Sequence, residues 1–218
     1  MADNQNWQPL GRDELAMRVA QDIPEGWSVN LGIGIPTLVA NYVPPQREVV
    51  FHSENGILGM GPAPTPESLN PWLVNASRQH VTLQPGGSFV SHSDSFALVR
   101  GGHLDLCVLG AFQVAENGDL ANWARSDDET APAIGGAMDL AAGARRIWVV
   151  MEHVTRSGEK RLLRRCTYPL TAKGVTRRVY TDLAVIDVTP RGFVVIDTVP
   201  GLSFEELQER TDAPLSRE

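Results

Sequence analysis

Two cysteines, Cys107 and Cys166, are all that the 218 residues contain, too few for the disulfide framework of a secreted scaffold. Cys107 lies in the apolar run Leu104-Asp105-Leu106-Cys107-Val108-Leu109 and Cys166 follows Arg164-Arg165, so both read as thiols of a cytoplasmic protein. No stretch of eighteen apolar residues occurs, and no membrane span is expected. The opening residues, Met1 to Trp7, lack a basic segment followed by an apolar core, which argues against a secretory signal. Positive charge is scarce as well: 19 Lys and Arg against 26 Asp and Glu leave a formal net charge of -7. That balance argues against general nucleic-acid binding. It also repels anions, so an anionic substrate would need local donors or a partner's basic residues.

Several motifs are missing too. Gly32 and Gly34 begin a glycine-rich turn, but Thr37 stands where a dinucleotide fingerprint wants its third glycine, and no Gly-Lys-Ser/Thr phosphate loop exists. His52, His80, His92, His103 and His153 show no metal-ligand spacing; His92-Ser93-Asp94 and His103-Leu104-Asp105 come nearest, and both read as core or loop residues. There is no G-x-S-x-G nucleophile. A retaining glycosidase needs two convergent carboxylates, and the sequence nominates one.

What is present is an alternation of short apolar runs with helical segments. Hydrophobic content of 42% with 21% charged residues suits one globular domain over 1–218. Residues 13–23 read as an amphipathic helix, with Leu15, Val19 and Ile23 on one face. Residues 27–31 read as a strand, and Gly32-Ile33-Gly34-Ile35-Pro36 leads into a helix, so backbone N–H groups there could meet an anion. Further strands are expected at 80–83 (closed by Pro85-Gly86-Gly87), 104–109, 147–151, 179–188 and 193–198, the last two joined as a hairpin through Thr189-Pro190-Arg191-Gly192. Helices are expected at 93–100, after Gly135-Gly136, and after the capping box Ser203-Phe204-Glu205-Glu206. Asn117-Gly118 marks a turn, residues 63–71 a Pro-rich loop and 124–132 an exposed acidic one. This order implies an α/β fold with a mostly parallel sheet flanked by helices and a C-terminal β-hairpin.

The stretch Arg47-Glu48-Val49-Val50-Phe51-His52-Ser53-Glu54-Asn55-Gly56 carries the chemistry. Val49, Val50 and Phe51 form a buried strand, and Ser53-Glu54-Asn55-Gly56 ends it. Gly59, Gly61 and Pro62 are expected to keep the next segment out of regular structure. Glu54 is thus held at the C-terminal mouth of a strand, the edge where open α/β sheets bind ligands. A carboxylate beside amide-donating glycine loops suits covalent catalysis: with an ordinary pKa of about 4.3 it is ionised at neutral pH and needs no base. As a weak nucleophile it requires an activated acyl partner and N–H donors for the oxyanion. The same Glu would also serve as a turn cap or a solvent-facing side chain.

Five ordered motifs then resemble the B subunits of class I 3-oxoacid CoA-transferases. They are Asn30-Leu31-Gly32-Ile33-Gly34-Ile35-Pro36, Ser53-Glu54-Asn55-Gly56, Gly101-Gly102-His103-Leu104-Asp105, Gly118-Asp119-Leu120-Ala121-Asn122-Trp123 and Gly135-Gly136-Ala137-Met138-Asp139-Leu140. The likeness runs from about residue 10 to 215 and is greatest to the branch acting on 3-oxoadipate. Residues 124–130 replace a Pro-Gly-Lys segment common in acetoacetate-using relatives, and Arg156 stands where many have Lys. The resemblance implies the family's CoA-transferase fold and a ping-pong transfer of CoA from succinyl-CoA to a 3-oxoacid through a Glu54 thioester. CoA and acyl-CoA are then substrates, with no cofactor and no metal. It also implies contacts to substrate, CoA or the oxyanion from Asn30, Gly32, Gly34, Asn55, Gly56, Gly135 and Gly136. A separate A chain of the transferase would complete the enzyme, as an A2B2 assembly, since the glycine-rich CoA motif of that chain does not occur here. An acyl-CoA hydrolase of the same architecture and a non-catalytic ligand-binding module remain alternatives, as does acetoacetate for the acceptor. Arg164, Arg165, Arg177 or a residue of the partner could meet a distal carboxylate, and nothing in the spacing chooses among them.

Overall fold

The computed structural model describes residues 6–126 and 134–217. Two compact units divide the chain. One comprises Ala16–Gly110 and Gly135–Ile147; the other comprises Met1–Leu15, Ala111–Ile134 and Trp148–Glu218. Helix α1 (Arg12–Asp22) opens with Asp13 and Glu14 in its first turn, where the helix dipole favours anions. Leu15, Val19 and Ile23 are buried, so the apolar stripe seen in the sequence is the core face.

In the first unit β1 (Ser28–Leu31) leads through Gly32-Ile33-Gly34 into the short α2 (Ile35–Leu38), with Pro36 in its first turn. A single 3-10 turn (Val39–Asn41) ends that helical segment. Strands β2 (Val50–Ser53), β3 (Ile57–Met60) and β4 (Leu83–Phe89) follow, then α3 (His92–Arg100) and β5 (Leu106–Leu109). The strand order is β5-β1-β2-β3-β4. β1 pairs parallel with both β2 and β5, while β2–β3 and β3–β4 are antiparallel. Helix α4 (Ala137–Gly143) packs against α3 through a close approach of Gly143 to the Val99 carbonyl. The core is apolar, with Val29, Phe51, Val99, Leu106 and Val108 each at most 1% exposed.

In the second unit β6 (Gln113–Ala115) turns back at Asn117-Gly118 to β7 (Leu120–Ala121). Strand β8 (Ile147–Met151) is buried throughout. β9 (Leu162–Leu163) pairs parallel with β6, giving a three-stranded sheet. β10 (Thr176–Thr181), β11 (Ala184–Thr189) and β12 (Gly192–Thr198) form consecutive hairpins, and the expected one joins β11 to β12 with Thr189 opposite Gly192. Helix α5 (Phe204–Glu209) begins at the Ser203–Glu206 capping box, and β13 (Leu215–Arg217) pairs parallel with β12.

The α/β class is as expected, and so is parallel pairing around β1. Four local expectations need correction. Residues 57–60 are a strand despite Gly59, because a bulge between Leu58 and Met60 absorbs the irregularity. Pro85-Gly86-Gly87 lies inside β4 instead of closing a strand at 83; β4 ends the strand order, and an edge tolerates the missing proline donor. The 179–188 run is two strands, broken where Thr181 Oγ1 accepts the N–H groups of Leu183 and Ala184. Ala124 is fully buried, while Arg125 and Ser126 are exposed, and the remainder of that acidic segment, 127–132, lies outside the described residues.

Candidate active site

Glu54 follows the last residue of β2 directly, in the turn Glu54-Asn55-Gly56 that leads into β3. The turn closes through the Gly56 N–H on the Ser53 carbonyl, 2.9 Å. Gly56 has φ +110°, and a Cβ there would run into the Val90 carbonyl, so only glycine makes the turn and lets the segment before α3 approach. Val90 N–H in turn donates to the Gly56 carbonyl, 2.9 Å. The next residue but one starts α3, whose N-cap Ser91 accepts the Asp94 N–H at 3.1 Å.

The Glu54 carboxylate is half-buried and abuts Gly136, the N-cap of α4. A Cβ built on Gly136 would lie 2.9 Å from Glu54 Oε2 and 2.7 Å from Phe96 Cζ. His92 stands one turn before Phe96 on α3, with ring centroids 4.8 Å apart. Arg100, one turn further, lies over the Phe96 ring at 5.5 Å and pairs with Asp139 of α4 at 2.8 Å. Burial raises the Glu54 pKa above the ordinary carboxylate value; positive charge on His92 opposes that rise and the Asp139 carboxylate adds to it. The chemical result is a carboxylate held at a strand end, partly stripped of water, with a glycine backbone against it.

Of the other sequence candidates, Gly136 is brought to Glu54, and Gly135 precedes it, exposed and with φ +52°. Gly34 caps α2 in open space. Asn55 is exposed, and its amide donates to the Val74 carbonyl at 2.8 Å. Two glycines spend their N–H groups on backbone carbonyls, Gly32 on Val108 at 2.8 Å and Gly56 on Ser53 at 2.9 Å. Asn30, expected to touch substrate, is 1% exposed with its amide bonded to His52 and Cys107, so its side chain is interior to the site wall. Sequence reasoning missed His92, Phe96 and Asp139. The i, i+4 spacing of His92 and Phe96 within the helical run was the available signal. Among the described residues no group of three or more His, Cys, Asp or Glu could hold a metal, and no helix is long and apolar enough to cross a membrane.

Geometry and class agree with known proteins. Over its whole length the fold matches that of an acyl-CoA transferase apoenzyme from Escherichia coli, with a TM-score of 0.74 at 18% identity; this chain spans 43% of that one. The fold is therefore that of a CoA-transferase. A family model described as Coenzyme A transferase matches residues 12–210, and the chain belongs to that family. It is 54% identical over 210 residues to the B subunit of 3-oxoadipate CoA-transferase from Acinetobacter baylyi, covering 96% of this chain and 97% of that one. It is 44% identical over 202 residues to the B subunit of succinyl-CoA:3-ketoacid coenzyme A transferase from Helicobacter pylori, covering 93% and 97% respectively.

Proposed function

We propose that this chain is the B subunit of a cytoplasmic CoA-transferase that moves CoA from succinyl-CoA to a 3-oxoacid, with 3-oxoadipate as the acceptor, in the catabolism of aromatic compounds. The observation that carries the reading is the Glu54 carboxylate, half-buried at the end of β2 and against Gly136. The Glu54 oxygen attacks the thioester carbonyl, and the C–S bond breaks to release CoA thiolate and leave a mixed anhydride. Thiolate then attacks the Glu54 carbonyl, forming a Glu54–CoA thioester and freeing succinate. The acceptor carboxylate attacks that thioester, again expelling thiolate and giving a second anhydride. Thiolate finally attacks the acceptor acyl carbon, which yields 3-oxoacyl-CoA and regenerates the carboxylate. No proton, cofactor or metal enters the balance, and the thioester bond energy is retained. Partial desolvation of Glu54 favours the attack, since fixed protein dipoles replace its water shell.

The complementary A chain of the transferase is the partner, in an A2B2 assembly. The relatives' designation as B subunits supports a partner. So do large apolar side chains left open beside the candidate site: Met138, two residues after Gly136, is 53% exposed, and Ile33, next to Gly34, 75%. The test is to combine this chain with its A partner, supply succinyl-CoA, and compare 3-oxoadipate with acetoacetate while following intact mass for a CoA adduct on Glu54. Faster transfer to 3-oxoadipate with an adduct supports the reading. Preference for acetoacetate moves the assignment to the branch represented by the Helicobacter relative. CoA release without an acceptor makes the protein a hydrolase.

A further inference from the structure

A chain of four buried side chains runs beneath Glu54, each from a different element. Cys107 (β5), Asn30 (β1), His52 (β2) and Ser95 (α3) are 0, 1, 1 and 0% exposed. The parallel register places Asn30 directly opposite both His52 and Cys107. The Cys107 thiol donates to Asn30 Oδ1 at 3.4 Å, and the Asn30 amide nitrogen lies 2.9 Å from His52 Nδ1. An amide nitrogen only donates, so Nδ1 is the unprotonated acceptor and the ring proton sits on Nε2. Nε2–H therefore donates to Ser95 Oγ, 2.8 Å away.

That last bond ties β2, two residues before Glu54, to α3. The C-terminal end of α3 is held by α4 through Gly143 against Val99 and through the Arg100–Asp139 pair. The same helix carries His92 and Phe96, and Phe96 meets the same Gly136 position as Glu54 Oε2. We propose that His52 is a positioning residue for Glu54: as the Nε2–H tautomer it clamps α3 to the end of β2 and so sets the separation of the carboxylate from the His92–Phe96 face. The inference rests on the reading of Glu54 as the nucleophile. The titratable groups facing Glu54 are His92 from α3, Asp139 from α4 with Arg100 paired to it, and the thiol of Cys107 from β5. The clamp acts on the first of these, because His92 is the α3 group whose charge acts on Glu54.

The test uses the full chain assembled with its A partner, as wild type, His52→Asn, His52→Gln and Ser95→Ala. Asparagine can reach the Nδ1 position but not Ser95, whereas glutamine can present an amide N–H where Nε2–H was. Rapid-quench mass analysis reads formation of the Glu54–CoA thioester, and kcat/KM against pH reads the carboxylate. His52→Asn and Ser95→Ala are expected to slow thioester formation about 10²-fold, the scale of a 1 Å misplacement, and to move the acid limb of the profile upward as His92 drifts from Glu54. His52→Gln is expected to recover most of the rate. Equal rates in wild type, His52→Asn and Ser95→Ala overturn the proposal, and so does a glutamine variant as slow as the asparagine one. Imidazole nitrogen shifts of the wild-type complex give a measurement independent of any variant: an Nδ1–H tautomer at His52 also overturns it. A wild-type complex that forms no thioester removes the nucleophile reading itself, and the role of His52 with it.

Discussion

Two buried histidines, one in each compact unit, have the same ring chemistry and lead to different places. His52 is 1% exposed and His153 is 0%. Burial lowers both to about 4, with the Arg210 charge a second cause at His153. At His153 each ring nitrogen lies 2.9 Å from a threonine hydroxyl, Nδ1 from Thr181 Oγ1 and Nε2 from Thr211 Oγ1. The partners of His153 are the end of β10 and the segment just after α5, a junction of C-terminal elements remote in sequence from Glu54. The partners of His52 lie in the strands and helix that carry the candidate site. Burial and satisfaction therefore do not distinguish a structural histidine from one that positions chemistry; what the bonded elements hold does.

Substitutions should separate the two regions, and the largest effect is expected at Glu54 itself. Glu54→Gln should lower turnover of the assembled enzyme by on the order of 10⁴-fold or more, the scale for removing a covalent nucleophile. The same change should raise the melting midpoint at pH 7. A carboxyl whose folded pKa is raised stabilises the fold only while protonated, and that contribution is lost as pH climbs through the folded value, so the ionised group is a net cost at neutrality. Next comes His153→Ala, which empties a fully buried ring site and removes two side-chain hydrogen bonds, and should cost roughly 2–4 kcal/mol in chemical denaturation with kcat unaltered in the folded fraction. For the unmodified chain the sign with pH follows from the depressed histidines: their contribution is complete above the usual 6.5 and disappears as pH falls toward about 4. His153→Ala should flatten part of that acid loss.

Gly136→Val should then reduce turnover about 10²-fold by displacing Glu54 or Phe96, with the far-ultraviolet circular dichroism spectrum preserved. Smallest is His92→Ala. Removing the positive charge that opposes the raised Glu54 pKa should move the acid limb of kcat/KM upward by a fraction of a pH unit, and a downward move would contradict the electrostatics of the site. If His153→Ala altered thioester formation as strongly as His52→Asn, the contrast between the regions would fail.

Much of the frame was legible without coordinates. The apolar run ending at Ser53-Glu54-Asn55-Gly56 announced a strand followed by a turn, and Ser203-Phe204-Glu205-Glu206 announced α5 through its cap. Failures came where a local signal lost to pairing. Gly59 and Pro85 look like breakers, yet a bulge and an edge position accommodate them within β3 and β4. The hydrogen bonds of Asn30 and Gly32 were not legible in the sequence either. Their donors are consumed by His52 and by Val108, bonds that depend on strand neighbours distant in the chain.

By itself the sequence determined which carboxylate stands at a strand end, where the chain would turn to present it, and the family to which the fold belongs. Those properties are written in contiguous residues, through apolar runs, capping residues and glycine turns. Only the tertiary structure decided that Glu54 and Phe96 meet at Gly136, and that Asn30 stands in register with both His52 and Cys107. Register depends on which strands pair and by what offset, and the free energy that selects it is spread over the whole apolar core, so no short stretch of sequence contains it.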